Sequence, residues 1–309
     1  MIRTVLRWLT LAALVFCVGT GCASRSTQHV FIISIDGGAP AVLQKAAMPT
    51  LRQLAREGAC SLTAQTIKPP LTLPSHTSML TGVPMEKHKI SWNGWQPTNG
   101  VVKTPTIFAA AKQHGLVTAM FVGKEKFRHL LQPGTVDHFS YDRSNSVVTL
   151  KSDSGGPGVR KEGAVFAKIV AAHAADYIIR EKPNLCFIHL TDPDTVGHQF
   201  GWGSSEQLKA LADVDSGLTT IANAILEAGI ASRSAIIISA DHGGQGKGHS
   251  RGTREDMTIP WIVWGPRVKT EFAIEEPIST CDTAATALWL LGVPPLEVMQ
   301  GKPVLSAFD

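Results

Sequence analysis

The chain has 309 residues, of which 44% are hydrophobic and 17% charged, with a net charge of +4. That length suits one large domain, or one domain carrying an inserted cap. The charge is mild and spread out, which points away from a nucleic-acid binding module, and no low-complexity tract is present.

The first stretch, "MIRTVLRWLTLAALVFCVGTGCAS", carries Arg3 and Arg7, an apolar run from Trp8 to Val18, and small residues up to Cys22. This is the layout of a secretory signal. The run is too short to span a bilayer comfortably, which takes about 20 apolar residues. Gly19, Thr20 and Gly21 before Cys22 resemble a bacterial lipobox, with Gly19 where Leu is usual. Residues 1–22 are therefore expected to be a lipoprotein signal, and Cys22 the lipidated first residue of a mature chain held at the bacterial cell envelope. Ordinary signal cleavage nearby is the alternative. Of the other cysteines, Cys186 reads as a buried thiol, and Cys60 and Cys281 pair only if the fold brings them together.

After a short polar tether, "HVFIISID" is a β-branched run ending at Asp36, the pattern of a strand buried on both faces. A helix is expected from about Pro40 to Gly58. "TIFAAAKQHG" and "VTAMFVG" repeat helix then strand. Residues 141–162 are polar and Gly-rich and read as a surface loop, within room for a small cap or loop insertion around 84–162. "GAVFAKIVAAHAADYIIREKP" is a long amphipathic helix before the strand "NLCFIHLTD". Residues 204–229 are helical, "SAIIISADHGG" and "TIPWIVWGP" are strands, and "STCDTAATALWLLG" is a last helix capped by Gly292. Alternation of this kind predicts an α/β fold, a mostly parallel central sheet sandwiched by helices. Ligands collect at the C-terminal strand ends of such sheets.

Those ends carry acid: Asp36, Asp192 with Asp194, and Asp241 with His242. One such aspartate is an ordinary turn former or cap; three at equivalent positions ask for a common reason. Asp194 and His198 stand four apart, on one face if a helical turn begins there, as two ligands of one metal would. Glycines between His242 and His249 let the backbone bend His249 back toward the strand end. Three His and three Asp, with no thiolate, suit two divalent cations such as zinc or manganese. "PPLTLPSHTSMLTG" places Thr72 two residues before Pro74, where a helix is expected to begin just after Thr72 with Pro74 near its first position. Thr72 is then a helix cap, or a nucleophile presented at a helix N-terminus.

"IDG", "TLPSHTSMLTG", "DPDTVGH", "ADHGG" and "GHS", in that order, resemble the alkaline phosphatase superfamily, and within it the type I phosphodiesterase/nucleotide pyrophosphatase family. The likeness runs from about His29 to the end, so that 23–309 is expected to be one alkaline phosphatase-like hydrolase domain. The resemblance implies a two-metal hydrolase of phosphate esters with Thr72 as nucleophile. One metal, expected to be zinc, would take Asp36, Thr72, Asp241 and His242; the other Asp194, His198 and His249. Where the family usually has Asn, three residues after the nucleophile, this chain has Ser75, a shorter candidate for contact with a phosphoryl oxygen. Asp192 is expected to orient its neighbours, and Asn93 in "SWNGW" is a candidate substrate contact, with Trp92 and Trp95 either pocket wall or packing.

Residues 72–82 also resemble the sulfatase motif, but Thr72 stands at the cysteine position and His76 at the arginine position. Formylglycine cannot form from threonine, which argues against sulfate hydrolysis. Phosphomonoesterase or phosphonate hydrolase chemistry stays open, and no arginine can be placed on the phosphate. A non-catalytic surface-binding lipoprotein is the alternative from another class. The expected partner is a small-molecule, lipid or cell-wall phosphate ester.

Overall fold

In a computed structural model the described residues are 27–145, 147–150, 159–162 and 165–309; the signal stretch and Cys22 lie outside them. The strands are β1 (His29–Ile35), β2 (Ala59–Gln65), β3 (Thr118–Val122), β4 (His138–Ser140), β5 (Val147–Leu150), β6 (Val159–Glu162), β7 (Leu185–Leu190), β8 (Ser234–Ser239), β9 (Thr258–Trp264) and β10 (Phe272–Ala273). The α-helices are α1 (Pro40–Leu43), α2 (Pro49–Arg56), α3 (Thr72–Thr81), α4 (Met85–His88), α5 (Ile107–Gln113), α6 (Ala167–Glu181), α7 (Asp192–Phe200), α8 (Ser205–Glu227), α9 (Arg254–Met257) and α10 (Asp282–Leu291).

Eight strands form one sheet in the order β10-β2-β9-β8-β1-β7-β3-β4. From β8 to β4 all neighbours are parallel, and β9 runs antiparallel to both β8 and β2. Every residue of β1 is buried. Val30 and Ile32 join the core under α3, α5 and α10, whereas Phe31, Ile33 and Ile35 join the core under α2, α6 and α8. A strand covered on both faces has no reason to alternate apolar with polar, which is why these segments read as unbroken apolar runs. The expected α/β sandwich is the observed one.

Three local expectations differ. The helix drawn from Pro40 to Gly58 is two, α1 and α2, because Pro49 disfavours helical backbone at Met48, whose φ is −123° and ψ 68°. The second helix then restarts with Pro49 in its first turn. β2 was not expected, its polar positions masking a strand that lies between β9 and β10. Helix α3 begins at Thr72 itself, so Pro74 is its third residue; its missing N–H costs nothing there, since the first four N–H groups of a helix lack intrahelical partners.

Within the stretch 84–162, α5, β3 and β4 belong to the central layers, while β5 and β6, among the described residues, pair with each other and not with the main sheet. Cys60, Cys186 and Cys281 are free thiols. Among the described residues no helix is long and apolar enough to cross a membrane.

Candidate active site

Four neighbouring parallel strands, β8, β1, β7 and β3, end on the same side and deliver the site. Asp36 follows β1, Asp241 and His242 follow β8 through Ala240, Lys124 follows β3 through Gly123, and Asp194 lies in the first turn of α7 beyond β7. All of these are buried. Asp36, Asp241 and His242 gather in one cluster, and Asp194, His198 and His249 in another; within each, one donor atom per residue lies within 4.8 Å of the others. His198 reaches Asp194 because α7 places them one turn apart, Nε2 to Oδ1 being 3.3 Å. His249 folds back over the strand end until its ring stacks on that of His242, 3.5 Å between centroids.

The hydrogen bonds fix which nitrogen is free. Nδ1 of His198 donates to the Lys247 carbonyl at 3.0 Å, that of His242 to the Gly243 carbonyl at 2.9 Å, and that of His249 to the Pro70 carbonyl at 2.7 Å. In each neutral ring the Nε2 lone pair is left pointing inward, the arrangement that orients imidazole as a metal ligand. The Nε2 atoms of His198 and His249 face each other at 3.1 Å, lone pair to lone pair unless a cation or proton intervenes. Buried atoms without any hydrogen-bond partner include Asp36 Oδ1, Asp194 Oδ1, Asp241 Oδ2 and His242 Nε2. Such orphans are costly, and these four are atoms that bound cations would engage; the donor set suits two divalent ions of the zinc or manganese kind.

The electrostatics agree. Lys124 Nζ lies 2.5 Å from Asp36 Oδ2 and 2.5 Å from Asp194 Oδ2, one carboxylate from each cluster. Burial pushes the Asp36 carboxyl up, but Lys124 and His189 together hold it well below the usual range. The backbone N–H of Gly123 donates to His189 Nδ1 at 3.4 Å, so the proton sits on Nε2 and is donated to Asp36 Oδ2 at 2.9 Å. Asp241 lacks such a cation, and burial together with the Asp36 charge pushes it well above the usual range. The side chains alone therefore leave the three carboxylates short of positive charge. Burial holds His242 down to about 4, a neutral ring ready to ligate.

Thr72 is 1% exposed, and among the described residues its hydroxyl takes part in no hydrogen bond. Leu71 is the N-cap residue and makes no side-chain cap, so Thr72 is not spent as one. Two bonds tie its backbone to the clusters: His76 Nδ1 donates to the Thr72 carbonyl at 2.7 Å while lying 3.6 Å from Asp241 Oδ2, and His249 holds the Pro70 carbonyl. Ser75 is fully buried, its hydroxyl accepting from Thr66 Oγ1 at 3.0 Å. Asn93 Oδ1 accepts from the Leu73 N–H at 2.9 Å and from Lys126 Nζ at 3.1 Å. Two donors on one atom identify it as the amide oxygen, which leaves the Asn93 NH₂ group unused beside the start of α3. Trp92 packs on the core edge-on to His129, and Trp95 rests on the same imidazole, 36% exposed. Asp192 accepts from the Ala167 N–H at 2.7 Å and so holds the start of α6.

A sequence model of the type I phosphodiesterase/nucleotide pyrophosphatase family matches residues 30–247. The chain belongs to that family. The mouse ectonucleotide pyrophosphatase/phosphodiesterase family member 7 is 24% identical over 258 residues, 77% of this chain and 55% of the relative; the chain thus spans about half that relative's length. Among solved structures, an inactive variant of murine ectonucleotide pyrophosphatase/phosphodiesterase 5 in complex with AMP superposes with a TM-score of 0.71 at 14% identity, covering 91% of this chain and 100% of that one. A phosphonate monoester hydrolase from Silicibacter pomeroyi gives 0.67 at 16% identity, covering 90% and 76%. At such identities the structural likeness establishes the alkaline phosphatase-like fold.

Four residues of the site were not legible as such: Lys124, Lys126, His189 and Trp202. Trp202 lies in a slot lined by glycines of three ligand-bearing segments. A Cβ on Gly244 would come 2.2 Å from the indole, one on Gly197 2.9 Å and one on Gly37 3.1 Å. The indole N–H donates to the Gly37 carbonyl at 3.0 Å, and the ring meets His198 edge-on and tilts against His249. The available signals were a histidine inside an apolar strand, two lysines just past one, and a tryptophan among glycines. Each has a common structural explanation on its own.

Proposed function

We propose that this chain is an exported two-metal hydrolase of phosphate esters in which Thr72 is the nucleophile, with diesters as substrates. The observation that carries it is the convergence of two clusters, Asp36, Asp241 and His242 and Asp194, His198 and His249, with unpartnered buried atoms on Asp36, Asp241, His242 and Asp194, beside a Thr72 hydroxyl that makes no hydrogen bond among the described residues. Two divalent cations, zinc by donor type, would supply Lewis acidity there, with Asp36, Thr72, Asp241 and His242 holding one and Asp194, His198 and His249 the other.

Thr72 then attacks phosphorus in line. Its hydroxyl proton passes to water, its Oγ1–P bond forms as the bond to the leaving oxygen breaks, and the leaving alkoxide takes a proton back from water. Water hydrolyses the resulting phosphothreonine and returns the hydroxyl. The chain's own residues place these events. The positive end of the α3 dipole faces the phosphate, and the free amide of Asn93, whose oxygen holds the Leu73 N–H, is set to donate to a phosphoryl oxygen. Ser75, turned to Thr66, supports the helix start in this reading, and its own phosphoryl contact stays a proposal. His76, kept neutral chiefly by burial, fixes the Thr72 backbone. Export and lipid anchoring at Cys22 rest on the signal layout of residues 1–22.

The test is a zinc-loaded protein beginning after Cys22, assayed on bis-p-nitrophenyl phosphate. Thr72→Ala should keep the fold and its bound metal and lose turnover by at least a thousandfold; near-normal turnover in that variant sinks the mechanism. Protein that binds no metal and turns over no ester puts the surface-binding lipoprotein first.

A further inference from the structure

The site holds two lysines of different standing. Lys124 is committed, clamped between Asp36 and Asp194. Lys126, two residues on in the 3₁₀ turn Glu125–Leu130, is half-buried and pairs with no carboxylate among the described residues. Its ammonium has three N–H groups and one acceptor, Asn93 Oδ1. That same oxygen takes the N–H of Leu73, next to Thr72, so Lys126 is one hydrogen-bonded atom removed from the helix start that faces the phosphate. Burial disfavours its charge and brings its pKa down to about 8, in a position that feels Asp36, Asp194 and Asp241 without touching them. A half-buried cation held open in this way lacks an anion.

Arg251, close to His249 in sequence, is largely exposed and donates to the Gln245 carbonyl. Charge balance points the same way. Two dications, three carboxylates, a Thr72 alkoxide and Lys124 leave one net positive charge, which matches the single negative charge of a diester. Lys126 adds a second.

We propose that Lys126, steered by Asn93, is a subsite for a second negative charge on the transferred phosphoryl group, and that the chain accordingly turns over dianionic phosphate monoesters as well as monoanionic diesters. The inference rests on Thr72 being the nucleophile and refines the substrate class of that reading. Lys126 binds oxygen and leaves the bond changes to Thr72.

The experiment compares kcat/KM on p-nitrophenyl phosphate and on bis-p-nitrophenyl phosphate for the zinc-loaded wild type, Lys126→Met and Lys126→Arg. The ratio of monoester to diester efficiency should fall at least tenfold in Lys126→Met, chiefly through KM for the monoester, and recover in part in Lys126→Arg. A parallel titration with inorganic phosphate, read by calorimetry on zinc-loaded Thr72→Ala, should show binding weakened at least tenfold when Lys126→Met is added. An equal loss on both esters, or unchanged phosphate binding, overturns the subsite. Retained turnover in Thr72→Ala would instead overturn the nucleophile, whatever Lys126 does, so the two failures are told apart.

Discussion

Gly244→Ala is expected to loosen the second cluster without touching a ligand. The added Cβ would stand 2.2 Å from Cε2 of Trp202 and 2.6 Å from its Nε1, distances that force the indole out of its slot. The φ at Gly244 is not in the left-handed region, so backbone strain does not confuse the result. Overpacking of this kind costs about 1–3 kcal/mol. Displacing the indole also breaks its hydrogen bond to Gly37, worth about 1 kcal/mol, and releases the ring contacts to His198 and His249. A total of about 2–4 kcal/mol is expected in the stability of the metal-loaded protein. If about 2 kcal/mol of it appears as lost affinity, one zinc binds about 30-fold more weakly. Gly248→Ala is the control, lying in the same loop with nothing within 4 Å of the added Cβ. Denaturant unfolding and zinc titration against a competing chelator, run on both variants, give the two numbers. A Gly244→Ala protein that matches Gly248→Ala in both would refute the view of Trp202 as the wedge holding these segments together.

Acid should release the two metals in order. The Asp194 carboxylate, 3.3 Å from its Nε2, raises the pKa of His198, whereas burial lowers those of His242, to about 4, and His249. A raised pKa means protonation at higher pH, so metal should leave the Asp194/His198/His249 cluster first as the pH is lowered; loss of both ions in one step, followed by atomic absorption after dialysis, contradicts this. Lys124→Met should lower the melting temperature most in chelator, since it leaves buried carboxylates unpaired at a cost of about 3–5 kcal/mol, and added zinc should restore much of the loss; an equal drop with and without zinc argues against the shared cation. Ser204→Ala removes the side-chain cap that accepts from the Gln207 N–H and should cost about 1 kcal/mol of unfolding free energy, with bound zinc unchanged.

The sequence by itself determined the layered sheet, its main apolar strands and the grouping of Asp36, Asp194, His198, Asp241, His242 and His249. The reason is local: a strand buried on both faces must be apolar throughout, so a carboxylate at its end marks where the chain leaves the apolar layers. Spacing of four on a helix put Asp194 and His198 together with no knowledge of the rest. Tertiary structure decided what those residues touch. Lys124 meets Asp194 across 70 residues of chain, and His189 meets Asp36 across 153; no periodicity reports a contact at that separation. The same holds for β2, whose mixed pattern becomes a strand only where β9 and β10 supply its hydrogen bonds. It holds too for Trp202, whose slot exists because three glycine-bearing segments converge on it. The candidate ligands were written in residue type and spacing. The charge that balances the ligands, and the wedge that holds them, came from strand order.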